Sequence, residues 1–528
     1  NQPRNIHLQQ NVHVQNEDEE GEPWDFDPQI PDMDEDFVPP GEDLNPLINF
    51  LPPGDDTLLP EDAALVIHWD YGSDSFDWSA NRDNYPDNGS TFLELRMVNL
   101  QAADIDTEYE KCENLDLFML NLDQKNILYV VLSHIMAGEN GDFLRIILNG
   151  KGGAGKSFLI KAIVNTVHRL NNTRLAAHVG APTGTAAHLI NGSTLHTLLS
   201  LPIRGSVQAR VESMPQGSKG ERLQDSFAPT QLMVFDEYSM IGKNTFGQCS
   251  QAAKNLMKRG NFPSSSLGGV SVVMLCGDVM QLPPTLDTPL YDPATSVNKV
   301  ANNGRLEFGN FRTVYFLEKC MRLNPNELRL KETVENLRNN KATSQDAKFL
   351  QELQYEKVVA KYGQDKVDDH LKDGLYVAPT RVKVAQYNTQ KLQELNRLNP
   401  VVKILAQNTG RCASKVGSSK CPLQNELLIC KDAKVRLTCN LIVPEGLYNG
   451  SIGYVRDIIY DTSEAKGFPL YVLVEMVNYK SDTTFCDEPK LVPIAKVKRP
   501  IDCKCKYPCY REQIPLALAY GMTCHAVQ

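Results

Sequence analysis

Gly150-Lys151-Gly152-Gly153-Ala154-Gly155-Lys156-Ser157 (GKGGAGKS) is the stretch that decides the fold. It matches G-x-x-x-x-G-K-S at every fixed position and stands between an apolar run, LRIILNG (144–150), and a helical pattern. Glycines at these places let backbone N–H groups converge on phosphate oxygens with no Cβ in the way, and the helix start adds positive potential. The spacing predicts that Lys156 reaches the β- and γ-phosphates of a nucleotide and that the Ser157 hydroxyl holds Mg²⁺. The helix is predicted from Lys156 to near Leu170, with Leu159, Ile160, Ile163, Val164 and Val167 at helical spacing.

Working outward, further apolar runs end in polar or glycine residues: RLAAHVGAP (174–182), QLMVFDE (231–237) and VSVVMLCGD (270–278). Helical patterns or loops separate them, as in a parallel α/β sheet whose active residues sit at the carboxyl ends of strands. The run ending in Asp236 and Glu237 supplies the carboxylates a phosphate loop needs. Asp236 is placed to ligand Mg²⁺ and Glu237 to polarise an attacking water. After the third run, Gly277-Asp278-Val279-Met280-Gln281-Leu282-Pro283-Pro284 puts a neutral amide at a strand end, stiffened by two prolines. Such an amide suits contact with a γ-phosphate; the same segment also reads as a turn capped by Asp278. A second α/β set is predicted from FRTVYFLE (311–318) through DGLYVAPT (373–380).

Residues 402–504 differ. ELLICKDAKVRLTCN, SIGYVRDIIYD and PLYVLVEMVNY are β-rich, with EGLYNG as a turn between two of them, so a small β-barrel-like insertion is expected. IPLALAYG (514–521) is expected to return to the α/β pattern.

Charge divides the chain. The net charge of −11 averages residues 1–120, with 29 acids and 4 bases, and a remainder at +14. A basic body suggests a polyanion partner. Residues 5–81 hold no Lys or Arg and many prolines, a composition that predicts disorder, while all three tryptophans (Trp24, Trp69, Trp78) fall in this leader. It reads as an unstructured solubilising leader, as an aromatic-acidic docking segment, or as a mimic of nucleic acid that shields a basic groove. The thirteen cysteines follow no framework pattern, and no apolar run approaches a membrane span. Cys503, Cys505 and Cys509, with Cys486 upstream, lack the C-x₂-C pair usual for zinc. The sequence opens on Asn1 and ends at Gln528, which reads as a fragment at both ends.

The ordered blocks LNLDQ (120–124), GKGGAGKS, APTGTAAHLINGSTLH (181–196), VFDEYSM (234–240), GDVMQLPP (277–284), LEKCMR (317–322), YVAPTR (376–381), EGLYNGSIGYV (445–455) and REQIPLALAYGMTCHAVQ (511–528) resemble the superfamily-one DNA helicases of the Pif-one type, including those of Helitron-like elements. The resemblance covers roughly 115–528. It implies two RecA-like P-loop domains, 115–290 and 291–401 with 505–528, an SH3-like insertion at 402–504 and an acidic leader at 1–114. It also implies ATP-dependent 5′-to-3′ movement on single-stranded DNA, unwinding of duplex or forked DNA, and work in repair, recombination, telomere maintenance or element mobility, in nucleus or mitochondrion. At matching positions Gln124 reads adenine, Gly150, Gly152, Gly153, Ala154 and Gly155 cradle phosphate, Gln281 couples, and Arg322 reaches the γ-phosphate. Pro182, Thr183, Gly184, His196, Thr523 and His525 are implied DNA contacts. One departure stands out: Ala526 occupies a position where the resemblance implies lysine.

Overall fold

The computed structural model describes residues 69–71, 76–102, 115–138, 142–201, 218–285, 287–321, 327–371, 374–410, 413–415, 421–501 and 509–524. Its centre is a six-stranded sheet of β1 (Leu144–Gly150), β2 (Ala177–Ala181), β3 (Ser193–Thr194), β4 (Leu232–Phe235), β5 (Val272–Gly277) and β6 (Thr313–Leu317), in the order β3-β2-β4-β5-β1-β6. Every pairing is parallel. Central β4 and β5 are buried along their whole length, as strands covered on both faces must be, which is why they read as unbroken apolar runs. The strand order places the carboxyl ends of β4, β5 and β1 side by side. Asp236, Asp278 and the glycine loop therefore converge although they are far apart in sequence.

The helix after the loop runs Lys156–Asn171 and buries Leu159, Ile160, Ile163, Val164 and Val167, as its spacing predicts. Asn172 caps it in the left-handed region at φ 54°. These side chains share one core with Ile146, Leu148, Leu232, Val234 and Met274.

Three expectations change. FRTVYFLE does not open a second sheet: Thr313–Leu317 pairs with β1 as the edge of the first. The preceding helix, Lys299–Phe308, also packs there, with Gly304 so close to the Lys243 carbonyl that a Cβ would clash. The first unit therefore extends to 317 rather than ending at 290. At the other end, Leu516–Leu518 pairs antiparallel with Lys434–Leu437, so this part of IPLALAYG belongs to the β-rich module. Only Gly521–Thr523 returns to the α/β pattern, parallel to Tyr376–Ala378 beside the helix Arg381–Asn396.

The module holds a five-stranded antiparallel sheet, in the order Leu491–Ile494, Tyr471–Met476, Ile452–Ile459, Lys434–Leu437, Leu516–Leu518. A three-stranded sheet (Val497–Ile501, Cys509–Gln513, Gln407–Thr409) and the pair Glu426–Ile429 with Val402–Leu405 complete it. Alternating burial in Cys509–Gln513 shows the period of two expected of such strands.

The third change concerns the acidic leader. Part of it is built into the module. Trp78 is buried in the module core, its ring edge-on to Tyr460 at 6.1 Å, and its backbone N–H donates to the Ser463 carbonyl at 3.1 Å. Trp69 packs against the same core. The helix Phe92–Ala102 follows, with Phe92 against Phe485 and Arg96 paired with Glu445. Trp24 lies outside the described residues. Aromatic side chains among acids anchor this segment where net charge alone predicts disorder. Among the described residues, no helix is long and apolar enough to cross a membrane.

Candidate nucleotide site

The loop needs glycine for two separate reasons. Gly153 and Gly155 take φ of 81° and 82°, a region that side chains disfavour. A Cβ on Gly155 would also stand 2.6 Å from Gln124 Nε2. Gln124 is the third residue of the helix Leu122–Met136, and a capping box fixes it: its Oε1 accepts from the Asn121 N–H, and the Asn121 side chain accepts from the Gln124 N–H. That leaves the amide nitrogen to donate to the Gly155 carbonyl at 3.3 Å. The structure thus joins Gln124 to the glycine loop.

Lys156 is buried, and its ammonium donates to the carbonyls of Gly150 at 2.5 Å and Lys151 at 3.3 Å. Ser157 is half-buried in the first helical turn. Asp236 is buried at the end of β4, and Glu237 follows in the left-handed region at φ 50°. Asp236 Oδ1 and Glu237 Oε2 are buried without a hydrogen-bond partner. Burial, with the Glu237 carboxylate beside it, pushes the Asp236 carboxyl up to about 7. Burial raises Glu237 as well, opposed by the charge of Lys156. Two acids with buried, unused oxygens next to a phosphate loop are incomplete by themselves. The donor set, carboxylate and hydroxyl oxygen, suits Mg²⁺.

Asp278 is also buried, yet its pKa is lowered. Burial acts upward there and is outweighed by the Arg338 guanidinium, whose two nitrogens lie 2.7 and 2.6 Å from the carboxylate oxygens. Asp278 in turn shapes the segment after it: its side chain accepts from the Met280 N–H at 3.1 Å and its carbonyl from the Gln281 N–H at 2.9 Å. Lys151, inside the loop, pairs with Glu335 at 2.6 Å. Neither Arg338 nor Glu335 stands out in the sequence, because each partner is far away along the chain and the segment VENLRNNK fits an ordinary surface helix. Arg322 lies outside the described residues; its neighbour Met321 donates its N–H to the Gly153 carbonyl at 2.7 Å.

The implied DNA contacts are partly placed. Pro182, Thr183 and Gly184 follow β2, where Thr183 caps the helix Gly184–Leu189 by accepting from the Ala186 N–H at 3.2 Å. Gly184 lies against the module: a Cβ there would meet Asn440 Oδ1 at 2.7 Å and Tyr448 at 3.0 Å. His188 bonds the Val443 carbonyl at 3.1 Å. The EGLYNG turn and the segment after β2 therefore form one joint, which spacing alone does not reveal. His196 is exposed after β3. Thr523 pairs opposite Ala378 on the separate two-stranded sheet. His525 and Ala526 lie outside the described residues, as do Cys503 and Cys505. Among the described residues no His, Cys, Asp and Glu group is arranged as a metal cluster.

Residues 119–348 match the family model for PIF1-like helicases. A Bdellovibrio bacteriovorus ATP-dependent DNA helicase Pif1 is 27% identical over 75% of this chain and 77% of its own. The Xenopus laevis ATP-dependent DNA helicase PIF1 is 26% identical over 62% of this chain, which spans only 46% of that relative's length. The fold is also similar to two solved structures. A Pif1 helicase from Candida albicans has a TM-score of 0.57 and 22% identity, covering 78% of this chain and 86% of that one. A Bacteroides Pif1 helicase in complex with ADP-AlF3 and ssDNA has a TM-score of 0.54 and 21% identity, covering 78% and 84%.

Proposed function

From a chain that is a relative of PIF1-like helicases, we propose an ATP-dependent DNA helicase that couples Mg-ATP hydrolysis to 5′-to-3′ movement along single-stranded DNA and to unwinding of duplexes and forks. The observation that carries this reading is the pair of acids, buried Asp236 and half-buried Glu237, each with a buried oxygen that lacks a partner, beside buried Lys156.

Each group then has a task. Gln124 reads the adenine edge. The backbone of Gly150, Gly152, Gly153, Ala154 and Gly155 cradles the phosphates, and Lys156 leaves the loop carbonyls for the β- and γ-phosphates. Ser157 and Asp236 hold Mg²⁺, which when bound neutralises phosphate charge. Glu237 orients and polarises the attacking water. Gln281 reports the γ-phosphate, and Arg322 stabilises the charge that develops during transfer.

The track is single-stranded DNA, held by Pro182, Thr183, Gly184 and His196 on one side and Thr523 and His525 on the other, with the β-rich module as an SH3-like grip. The +14 body and the neighbour bound to ssDNA support a polyanion there. Repair, recombination, telomere upkeep or the mobility of a Helitron-like element, in nucleus or mitochondrion, are the processes such a motor serves. Ala526 favours a second reading, a nucleotide-gated DNA-binding protein of impaired catalysis.

Steady-state ATP hydrolysis with single-stranded DNA, with RNA and with no polymer tests the proposal. Stimulation by DNA, together with unwinding of a duplex bearing a 5′ tail and not of one bearing a 3′ tail, is the expected result. Nucleotide-dependent DNA binding without stimulated hydrolysis supports the second reading. Stronger stimulation by RNA overturns the choice of track.

A further inference from the structure

We propose that Arg338 is a positioning residue for the Gln281 segment, and that the helix Leu328–Arg338 clamps both walls of the nucleotide site. The inference rests on the nucleotide-site reading given above. Arg338 and Glu335 are three residues apart, so one helix face presents both. Arg338 takes Asp278 through two bonds, and Glu335 takes Lys151. One partner lies on the strap after β5 and the other in the glycine loop after β1.

The Arg338 contact is not a surface pair. The Asp278 side chain is 3% exposed, against 24% for Arg338. A bidentate guanidinium fixes a carboxylate in angle as well as distance. Asp278 passes that constraint on: its carboxylate accepts from the Met280 N–H, and its backbone carbonyl accepts from the Gln281 N–H. The Gln281 backbone therefore takes its place from a helix outside the sheet.

That helix is also pinned from behind. Thr333 Oγ1 and Asn336 Nδ2 bond the Asp346 carboxylate, both at 3.1 Å, and Arg329 pairs with it at 3.1 Å. Asp346 belongs to the next helix, Ser344–Glu352, whose capping box it completes with Thr343. Any shift of these two helices reaches Asp278 and Lys151 together. The geometry makes the helix a mechanical link between the γ-phosphate sensor and the chain beyond the first sheet.

The test is the tightening of fluorescent mant-ADP binding by aluminium fluoride, measured in Mg²⁺ on the full chain for wild type, Arg338→Ala and Arg338→Lys. Thermal unfolding is recorded for each. Wild type is expected to tighten, and Arg338→Ala to lose about tenfold of that tightening while its affinity for mant-ADP alone stays within about twofold. Arg338→Lys, which keeps the charge but not the fork, is expected to fall between them. Equal tightening in wild type and Arg338→Ala overturns the inference, as does a wild type that does not tighten. So does a parallel loss of mant-ADP affinity and melting temperature, which marks a merely structural pair. Tightening that depends on Arg338 in a protein without DNA-stimulated hydrolysis removes the helicase reading and keeps this one.

Discussion

At the end of β4 in the six-stranded sheet, Asp236 and Glu237 each carry a buried oxygen with no partner. In the β-rich module, the two most buried polar side chains are satisfied from within. Arg511 donates to Asn408 Oδ1 at 2.9 Å and to the Leu423 and Ala413 carbonyls, both at 2.8 Å. Gln513 donates to the Ile404 carbonyl and accepts from the Ile514 N–H, both at 2.9 Å. Burial is similar in both regions, so burial alone does not tell a site from a scaffold. What separates these four side chains is whether their polar capacity is already used; the difference is one of residues and not of whole regions, because Thr438 Oγ1, Glu445 Oε2 and the Tyr460 hydroxyl in the module also lack a partner. Arg511 holds three chain segments together; Asp236 keeps an oxygen that no protein group uses.

The largest effect expected from this contrast is on chemistry. Lys156→Ala should lower ATP hydrolysis by about a thousandfold, since it removes charge from the transferring phosphate, with thermal unfolding unchanged. A variant that also melts early would place Lys156 among the scaffold residues. Arg511→Met should do the reverse. It strands two carbonyls and an amide oxygen, so urea unfolding should show a loss of about 3 kcal/mol, with mant-ADP affinity intact. Weaker nucleotide binding in that variant would break the comparison.

The third expectation concerns pH. Asp236 has a folded pKa raised to about 7, so it is mainly protonated at pH 6 and charged at pH 8. An acid raised in this way destabilises the nucleotide-free protein as pH climbs from the ordinary carboxylate range toward 7. Mg²⁺ must displace that proton, so Mg-nucleotide affinity should rise about fivefold from pH 6 to pH 7, reach about tenfold by pH 8 and then level off. Titration calorimetry in buffers of differing ionisation heat would report the released proton, and Asp236→Asn should flatten the slope. The smallest effect belongs to the joint between the regions. Gly184→Ala forces Asn440 or Tyr448 to give way, and should weaken single-stranded DNA binding about threefold by fluorescence anisotropy, with mant-ADP affinity unchanged.

The sequence is a good guide to the first sheet because its chemistry is local. Glycine positions, a lysine and a helix start must be consecutive to cradle phosphate, so GKGGAGKS declares itself. Central parallel strands are wholly apolar, so VMLCGD and LMVFDE are visible as strands, with their acids at the strand ends. The misjudged parts depend on pairing across long separations. Nothing in FRTVYFLE says that it will lie beside β1, and LAL at 516–518 carries no sign that its partner is KVRL at 434–437. Arg338 fails for the same reason: Asp278 is sixty residues away, and an arginine at a helix end is unremarkable in itself. In the leader, mean charge outweighed three tryptophans in the reading, although two of them are the residues that tie it down.

Trp78 has a bearing on how the molecule comes to exist. Its backbone N–H is bonded to Ser463, Asn81 to Asp457, and the Pro86 carbonyl to the Tyr471 hydroxyl, across separations near four hundred residues. On a ribosome the segment emerges early, while its berth is made late. It must wait, with aromatic surface uncovered, until its partner strands, 385 residues further on in the case of Pro86 and Tyr471, have been synthesised. Contact order this high predicts slow closure of the module and a period of dependence on chaperones. The acid around those aromatics then takes on a temporal role, keeping the waiting segment soluble until its strands arrive.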